Sequence, residues 1–254
     1  MNITSELQSP IILGHRGASA FAPENTLSAF ELAIEQGADG VELDVRLTKD
    51  NIPIVIHDKY VDRTTDGSGK ISEFKLNEIR SIDAGRWFGN EFAGERIPTL
   101  SEVFESLKKR GLINIELKIS NAQFDNFIEQ LVQLIKRHNN MEQIIISSFF
   151  IKNLKRITRV LDDISIALLT HPNMFGLIQG MAIFKCLSPQ IIHPFKGHVT
   201  QTYLINQHRL NRNVHAWTVN DPSEIKQLIQ NGVDGIITDN PKLARTILNS
   251  SRNG

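Results

Sequence analysis

The sequence predicts an α/β protein whose parallel strands close into a (β/α)8-type barrel with a small inserted cap. Strand and helix patterns alternate along most of the chain, which is typical of a parallel sheet covered by helices. The chain has 254 residues, close to the size of one barrel domain, and its 41% of hydrophobic residues can fill a large core. Only the turn-rich stretch 59–98 interrupts the alternation. Because such long interruptions are usually functional, we interpret it as a cap beside the functional site.

Composition and charge exclude several classes of function. Lys and Arg together number 28, as do Asp and Glu, so no net field attracts nucleic acid or an anionic membrane. The single cysteine, Cys186, cannot form an internal disulfide and suits a reducing compartment. Residues 1–10 lack the apolar region of a secretory signal, and no apolar run approaches the ~18 residues of a membrane span. We therefore expect a soluble, cytoplasmic protein.

The part of the chain before the cap reads strand, helix, strand, strand. An apolar strand at 11–13 precedes a helix that is expected to open at Pro23 and to end near Gly37. Strands follow at 40–45 and 52–56. The link between these two strands is shorter than the dozen or so residues that a parallel crossover needs, so we expect an antiparallel hairpin.

Helices and strands alternate regularly after the cap, and Ser101 is expected to cap the first of these helices. Helices are predicted at 101–110, 123–138, 151–161, 174–184, 200–210, 223–230 and 241–248. Strands are predicted at 113–119, 143–149, 165–169, 187–192, 214–219 and 235–238. The whole chain then has more strands than an eight-stranded barrel needs, so at least one strand is expected to lie outside the barrel.

Acidic residues occupy alternate positions of two predicted strands. Glu42 and Asp44 are two residues apart and therefore face the same side of their strand, as do Glu116 and Lys118. A carboxylate inside a barrel is costly unless it is paired or bound to a metal, so an ion-pair cluster and a cation site are the two alternatives. Three carboxylates would form an oxygen-rich site for one divalent cation, either Mg²⁺ or Ca²⁺. No Cys or His cluster has the spacing of a zinc site.

Two histidines stand at the ends of apolar strands, where barrel enzymes place their catalytic groups. One such histidine would more often be structural, but His15 and His57 enclose the acidic pair in sequence, which favours proton transfer. Arg16 could bind a phosphate or form a salt bridge at the barrel rim. Lys118 could neutralise charge on a phosphoryl oxygen, pair with Glu116, or do both. Together these groups favour metal-assisted cleavage of a phosphate ester.

Three further residues have weaker patterns. Trp217 could form an apolar wall for a substrate or fill the barrel interior. His193 precedes a proline and is expected in a loop. Asp239 is followed by Asn240 and Pro241, which is typical of a helix N-cap with proline in the first turn.

A short internal repeat links the two ends of the chain. Residues 37–44 match residues 232–239 in helix end, tight turn and strand entry. Both segments are predicted at the bottom of the barrel, each feeding a strand. The second copy has Ile237 where the first has Glu42, so the scaffold by itself does not require a glutamate at this position.

The motifs that carry these residues resemble the glycerophosphodiester phosphodiesterase family of the bacterial cytoplasmic type. The matching segments follow family order over nearly the whole chain: HRGASAFAPENTLSAF (15–30), GVELDVRLTKDNIPIVIHD (40–58), DRTTDGSGKISEF, DAGRWFG (83–89), IPTLSEVF (97–104), INIELK (113–118), AWTVNDPSEI and GVDGIITDNP. The resemblance implies a distorted TIM barrel, one domain over 1–254 with a small subdomain inserted at 59–98. It also implies hydrolysis of deacylated phospholipids to sn-glycerol 3-phosphate and an alcohol.

The resemblance also implies a role for each candidate residue. The family's residues fall on this chain as follows: the acid–base histidines on His15 and His57, the metal carboxylates on Glu42, Asp44 and Glu116, the phosphate contacts on Arg16 and Lys118, and the substrate-side tryptophan on Trp217. The expected partner is a small-molecule glycerophosphodiester, with no nucleic acid and no integral membrane segment. The oligomeric state is left open.

Two other functions are consistent with parts of the sequence. A lysophospholipase D would use the same chemistry on a substrate that keeps one acyl chain. It would need an apolar groove, which Trp87, Phe88 and Trp217 could line. A non-catalytic barrel that only binds phosphodiesters should lack a proton-transfer residue or a ligand, whereas both histidines and all three carboxylates are present.

Overall fold

Eight parallel strands form a closed barrel in the computed structural model, which describes residues 10–108, 110–119, 124–173 and 189–252. The strands are β1 (Ile11–His15), β2 (Gly40–Leu47), β3 (Pro53–Val55), β4 (Leu112–Leu117), β5 (Ile144–Ser148), β6 (Ser165–Leu169), β7 (Ile191–His193), β8 (Asn213–Ala216) and β9 (Gly235–Thr238). The sheet order is β1-β9-β8-β7-β6-β5-β4-β2-β3, and pairing of β1 with β2 closes the ring. The predicted barrel is therefore confirmed. The extra strand is β3, which pairs antiparallel with β2 in the expected hairpin.

Helices connect most of the strands and pack on the outside of the barrel. They are α1 (Leu27–Glu35), α2 (Leu76–Ile79), α3 (Leu100–Leu107), α4 (Phe124–His138), α5 (Ile151–Thr158), α6 (Gln201–His208), α7 (Pro222–Asn231) and α8 (Pro241–Arg252). Among the described residues, no helix combines the length and apolarity needed to cross a bilayer. The helix predicted at 174–184 lies outside the described residues.

Two predicted helix starts are wrong. Helix α1 does not open at Pro23 but at Leu27, because the Thr26 side chain accepts a hydrogen bond from a backbone N–H of the first turn. Helix α3 is capped by Thr99 and not by Ser101. Thr99 and Glu102 form a reciprocal capping box, which satisfies two backbone donors at once.

The barrel interior has an apolar floor below a polar mouth. The apolar side chains of the floor are Ile11, Leu13, Leu112, Ile145, Ala167, Ile191 and Ile237, with Trp217 packed against them. Larger apolar clusters fill the layer between the strands and the helices. Since strand residues alternate between the interior and the helix layer, polar residues toward the carboxyl ends of β1, β2 and β4 face the barrel mouth.

The internal repeat lies where the sequence predicts it. Gly37 lies two residues beyond the end of α1 and Gly232 directly follows α7; both adopt left-handed backbone conformations, with φ of 86° and 85°. Two residues later in each copy, an aspartate carboxylate accepts a hydrogen bond from the backbone N–H of the second residue of a neighbouring strand. Asp39 accepts from Ile12 N–H at 2.7 Å and Asp234 from Val214 N–H at 2.8 Å. The repeat therefore reflects a shared way of anchoring strands.

The interrupting stretch 59–98 contains little regular structure beyond α2 and two 3₁₀ turns. It has a small apolar cluster of its own, shared with β3 and formed by Ile54, Ile56, Val61, Ile71, Ile79, Ile82, Ala84 and Ile97. This cluster packs the stretch against the hairpin rather than against the outer helices. The limits of the inserted subdomain stay a prediction.

His193 does not lie in a loop, as its following proline suggested, but is the last residue of β7. It is fully buried and stacks on His215 of β8, with ring centroids 5.1 Å apart and His193 Nε2 3.2 Å from His215 Nδ1. Burial lowers the pKa of both imidazoles, that of His215 to about 3. The pair is therefore neutral at physiological pH, and it supports Trp217, whose Nε1 donates to the His193 carbonyl at 2.8 Å.

Candidate active site

The three predicted metal carboxylates converge at the barrel mouth. The parallel register of β2 and β4 places Asp44 beside Glu116 and Glu42 beside Asn114. Carboxylate oxygens of Glu42, Asp44 and Glu116 lie within 4.8 Å of one another, and all three residues are buried. Two oxygens bound to one Ca²⁺ at about 2.3–2.6 Å can be up to about 5 Å apart. The three carboxylates therefore fit one shared divalent cation.

Two cationic side chains contact this acidic cluster. Lys118 Nζ lies 2.5 Å from Glu116 Oε1 and 3.4 Å from Asp44 Oδ1. Arg16 Nε lies 3.4 Å from Asp44 Oδ2, and the Arg16 backbone N–H donates to Glu42 Oε2 at 3.1 Å. Both cations also line the cavity at the barrel mouth. Pairing with carboxylates therefore does not remove them from contact with a ligand.

Burial and crowding shift the pKa values of the carboxyl groups in different directions. Burial and the charges of Asp44 and Glu116 raise the pKa of Glu42 well above its usual value. Burial and the Asp44 charge raise the pKa of Glu116 to about 7. Burial also acts to raise the pKa of Asp44, but Lys118 and Arg16 outweigh it and lower that pKa. The cluster is thus short of positive charge, which a bound divalent cation would supply.

Both predicted catalytic histidines are oriented by aspartates. Asp239 Oδ1 lies 2.6 Å from His15 Nδ1, and Asp58 Oδ1 lies 2.6 Å from His57 Nδ1. Against the effect of burial, hydrogen bonds from Arg63 and His57 lower the pKa of Asp58 to about 2, and those from His15 and its neighbours lower the pKa of Asp239. An ionised carboxylate only accepts hydrogen bonds, so Nδ1 donates in each pair and Nε2 is left for proton transfer.

A chain of alternating charges connects His57 with Arg16. Asp58 Oδ2 accepts from Arg63 Nε at 2.6 Å, and the two terminal nitrogens of Arg63 donate to the two oxygens of Glu24 at 2.8 and 2.7 Å. Glu24 Oε1 also accepts from Arg16 Nη1 at 2.9 Å. Because each link is a charge-assisted hydrogen bond with fixed geometry, the chain holds an imidazole and a guanidinium at set positions around the cavity.

Asp239 is not among the site residues predicted from the sequence, but its carboxylate binds His15 and also accepts from Ser19 Oγ at 3.0 Å. The N-cap predicted before Pro241 is Asn240, since its Oδ1 accepts from Leu243 N–H at 3.0 Å in the first turn of α8. A signal was available, because the internal repeat aligns Asp239 with Asp44, which already faces the barrel mouth.

Two further residues position the site without having been recognised in the sequence. Asn25, with a left-handed φ of 60°, donates from Nδ2 to Asp44 Oδ2 at 3.0 Å. Arg46 donates from Nε and Nη2 to the His57 carbonyl at 2.8 and 2.6 Å, and from Nη1 to the Lys118 carbonyl at 3.0 Å. Arg46 follows Asp44 by two residues, so strand alternation indicated that it shares the same face.

These groups surround one cavity of about 230 Å³. Its lining combines the polar residues His15, Arg16, Glu42, His57, Asn114, Glu116, Lys118 and Ser147 with the apolar residues Phe149, Leu169, Trp217 and Ile237. All predicted site residues except Asp44 line the cavity directly, and Asp44 lies behind them. Trp87 and Phe88, considered for a lipid groove, line neither this cavity nor the cavities that adjoin it in the described part of the chain.

Comparison with known proteins gives a family match over most of the chain. The profile of the Glycerophosphoryl diester phosphodiesterase family matches residues 15–243. The chain belongs to this family. A glycerophosphodiester phosphodiesterase of Caldanaerobacter subterraneus is 41% identical over 245 residues, which cover 96% of this chain and 98% of that protein. A glycerophosphodiester phosphodiesterase of Bacillus altitudinis is 36% identical over 92% of this chain and 96% of its own length.

A solved structure supports the same family at the level of the fold and the reaction. A phosphodiesterase of Oleispira antarctica, solved in complex with its product sn-glycerol-3-phosphate, superposes with a TM-score of 0.85. The two chains are 30% identical, and the match covers 95% of this chain and 97% of that one. The family and the enzyme class predicted from the sequence, a phosphodiester hydrolase, are thereby confirmed.

Crowding of the carboxylates predicts the behaviour of a Glu42→Gln variant without metal. Because its pKa is raised, Glu42 in the folded protein keeps its proton at pH values above the usual pKa of 4.5, where the unfolded chain has lost it. The free-energy cost of folding with this residue therefore grows as pH rises. In chelator at pH 8, we expect the variant to melt about 3–6 °C above wild type, with a smaller difference at pH 5. Adding Mg²⁺ or Ca²⁺ should raise the Tm of wild type but not of the variant.

Glu129→Gln is the matched control, because Glu129 is an exposed glutamate on α4. Its Tm should follow wild type at both pH values and with metal. A Glu42→Gln variant that melts below wild type in chelator at pH 8 would show that the carboxylates do not repel one another as described.

Proposed function

We propose that the chain hydrolyses glycerophosphodiesters to sn-glycerol 3-phosphate and an alcohol, with one divalent cation and the two histidines as acid and base. One observation carries the proposal: His15 and His57 line the same cavity as the acidic cluster of Glu42, Asp44 and Glu116, and each imidazole is oriented by an aspartate. A divalent cation held by the three carboxylates supplies Lewis-acid polarisation of the phosphoryl oxygens.

Proton transfer is assigned to the two imidazoles. With Nδ1 committed to an aspartate, each ring exchanges a proton only through Nε2. A neutral ring accepts the proton of the attacking hydroxyl, and a protonated ring donates to the departing alkoxide, which is a poor leaving group without that proton. One neutral and one protonated histidine therefore supply both proton transfers. Asp239 stabilises His15 in its protonated form, and Asp58 does the same for His57.

Phosphate binding is assigned to Arg16 and Lys118. Arg16 lines the cavity, and its contacts with Asp44 and Glu24 hold the guanidinium in place there. A phosphoryl oxygen entering the cavity can accept a hydrogen bond from this guanidinium. Lys118, whose pKa is raised by Asp44 and Glu116 against the effect of burial, stays charged and can neutralise a second oxygen. Trp217 and Leu169 would face the glycerol carbons.

The proposal is tested directly by product analysis. Wild type incubated with glycerophosphocholine should release sn-glycerol 3-phosphate and choline, detected enzymatically or by mass spectrometry. Chelator should abolish the release, and either Mg²⁺ or Ca²⁺ should restore it, because the raised pKa values show a cluster that is incompletely neutralised. Release that continues unchanged in chelator would contradict the metal, and release of phosphocholine instead would contradict the cleaved bond.

The His15–Asp239 pair predicts the effect of an Asp239→Asn substitution. An amide in this position can donate to Nδ1 and favour the tautomer whose Nε2 carries the proton, so we expect kcat to fall by about 100-fold or more. The matched control is Asp221→Asn, an exposed aspartate that caps α7 and tolerates asparagine. Equal activities of the two variants, with kcat within twofold of wild type, would show that Asp239 does not position His15.

A further inference from the structure

A second and larger cavity, of about 600 Å³, adjoins the active-site cavity. Glu116, Lys118 and Phe149 line both, so the two cavities lie side by side. The active-site cavity of about 230 Å³, which Arg16 and Lys118 line, suits the glycerol and phosphoryl groups of the substrate. The other alcohol of the diester, the leaving group, must then extend beyond this cavity. The adjoining cavity is one of the places that this alcohol can reach.

The lining of this second cavity is strongly cationic. Besides Lys118 it includes Arg46, Lys59 and Lys70. Among the lining residues that the structure describes, the single carboxylate is Glu116, which already belongs to the acidic cluster. Arg46 is held by backbone carbonyls and lies near the charges of Asp44, Asp58 and Glu116, whereas Lys59 and Lys70 form no ion pair with a carboxylate within the described residues. The unpaired positive charge of these two lysines attracts an anionic ligand.

The cap places two of these lysines at the edge of the site. Ile71 N–H donates to the Lys59 carbonyl at 3.0 Å, and Tyr60 forms an antiparallel bridge with Lys70. Val61 N–H donates to the Gly69 carbonyl at 3.0 Å, which extends the same backbone ladder. The two lysines therefore sit on a defined ladder just after His57. Because the backbone of both lysines is already ordered, a ligand that binds them pays a smaller entropy cost than it would at a free loop.

The same cavity also presents aromatic rings. Phe149 is fixed by stacking on His171, with centroids 4.3 Å apart, and by an edge contact with Trp217 at 5.8 Å. The neighbouring Phe150 is 57% exposed and has Lys152 Nζ 5.9 Å from its ring centroid. An apolar wall with a few charged groups suits a ring-shaped polyol whose substituents carry the charge.

A cleft on the His15 side of the site has a different character. It measures about 400 Å³, and its lining includes Arg16 as well as Glu24, Asn220 and Asp239. The site is therefore flanked by a cleft of mixed charge near His15 and a cationic cavity near Lys118. A cationic head group would meet repulsion in the cationic cavity, whereas an anionic one would gain partners there.

We propose that the cationic cavity binds the alcohol part of the diester and favours alcohols that carry a phosphate of their own, such as a phosphorylated cyclic polyol. Lys59 and Lys70 bind the additional phosphate, and Phe149 and Phe150 contact the ring. Lysine binds phosphate as a point charge, so no bidentate geometry is required. This inference rests on the proposed function, because it assigns a substrate class to the same site.

The test compares three substrates: glycerophosphoinositol, glycerophosphoinositol 4-phosphate and glycerophosphocholine. We expect wild type to show the highest kcat/KM for the phosphorylated diester. In the double variant Lys59→Gln/Lys70→Gln, kcat/KM for that diester should fall by about tenfold relative to the other two, mainly through KM. The control is Lys226→Gln/Lys242→Gln, which removes the same charge from exposed positions on α7 and α8 and should leave the ratios unchanged.

Each remaining outcome bears on the inference. Equal losses for all three substrates, or no loss for any, would overturn it. If the Lys59→Gln/Lys70→Gln variant keeps all three kcat/KM values but no longer binds anionic lipid vesicles as wild type does, the inference is overturned in favour of a membrane contact. If wild type releases no sn-glycerol 3-phosphate from any diester, the proposed function itself fails. Release without a preference for the phosphorylated diester refutes only the assignment of the cationic cavity.

Discussion

The repulsion among three buried carboxylates is the interaction on which the rest of the site depends. In a buried environment, like charges within 4.8 Å of one another interact far more strongly than they would in water. Arg16, Lys118 and the Asn25 amide all contact Asp44, the most buried member of the cluster. This arrangement keeps Asp44 ionised while its two neighbours have raised pKa values. The two cationic side chains therefore compensate Asp44, while the charges of Glu42 and Glu116 are left for a divalent cation to balance.

The barrel turns this local constraint into a defined geometry. The register between β2 and β4 places Asp44 beside Glu116, and a slip of one residue would turn these side chains toward the helix layer. Arg46 then connects β2 to the His57 and Lys118 carbonyls, so hydrogen bonds join the end of the hairpin to the end of β4. The strands thereby fix the three carboxylates, and the ion-pair chain through Asp58, Arg63 and Glu24 fixes His57 and Arg16 in the loops above them.

Patterns that are local in sequence predicted much of the fold and of the acidic cluster. Alternation along β2 and β4 identified Glu42, Asp44 and Glu116, because a strand period of two depends only on neighbouring residues. The partner of His15 was missed because Asp239 lies 224 residues away, beside an Asn240–Pro241 pair that indicates only the start of a helix. Only the internal repeat, which aligns Asp239 with Asp44, carried that information. The start of α1 was misplaced because Asn25 leaves the helical conformation to bind Asp44.

The most direct test of the central claim is anomalous diffraction from crystals soaked in Mn²⁺, recorded near the manganese absorption edge. We expect one peak at the barrel mouth, about 2.0–2.6 Å from oxygens of Glu42, Asp44 and Glu116. Crystals of a Glu42→Gln/Glu116→Gln variant soaked in the same way should lack that peak. A peak elsewhere in wild type, or an empty cluster at saturating metal, would contradict the claim that these carboxylates share one cation.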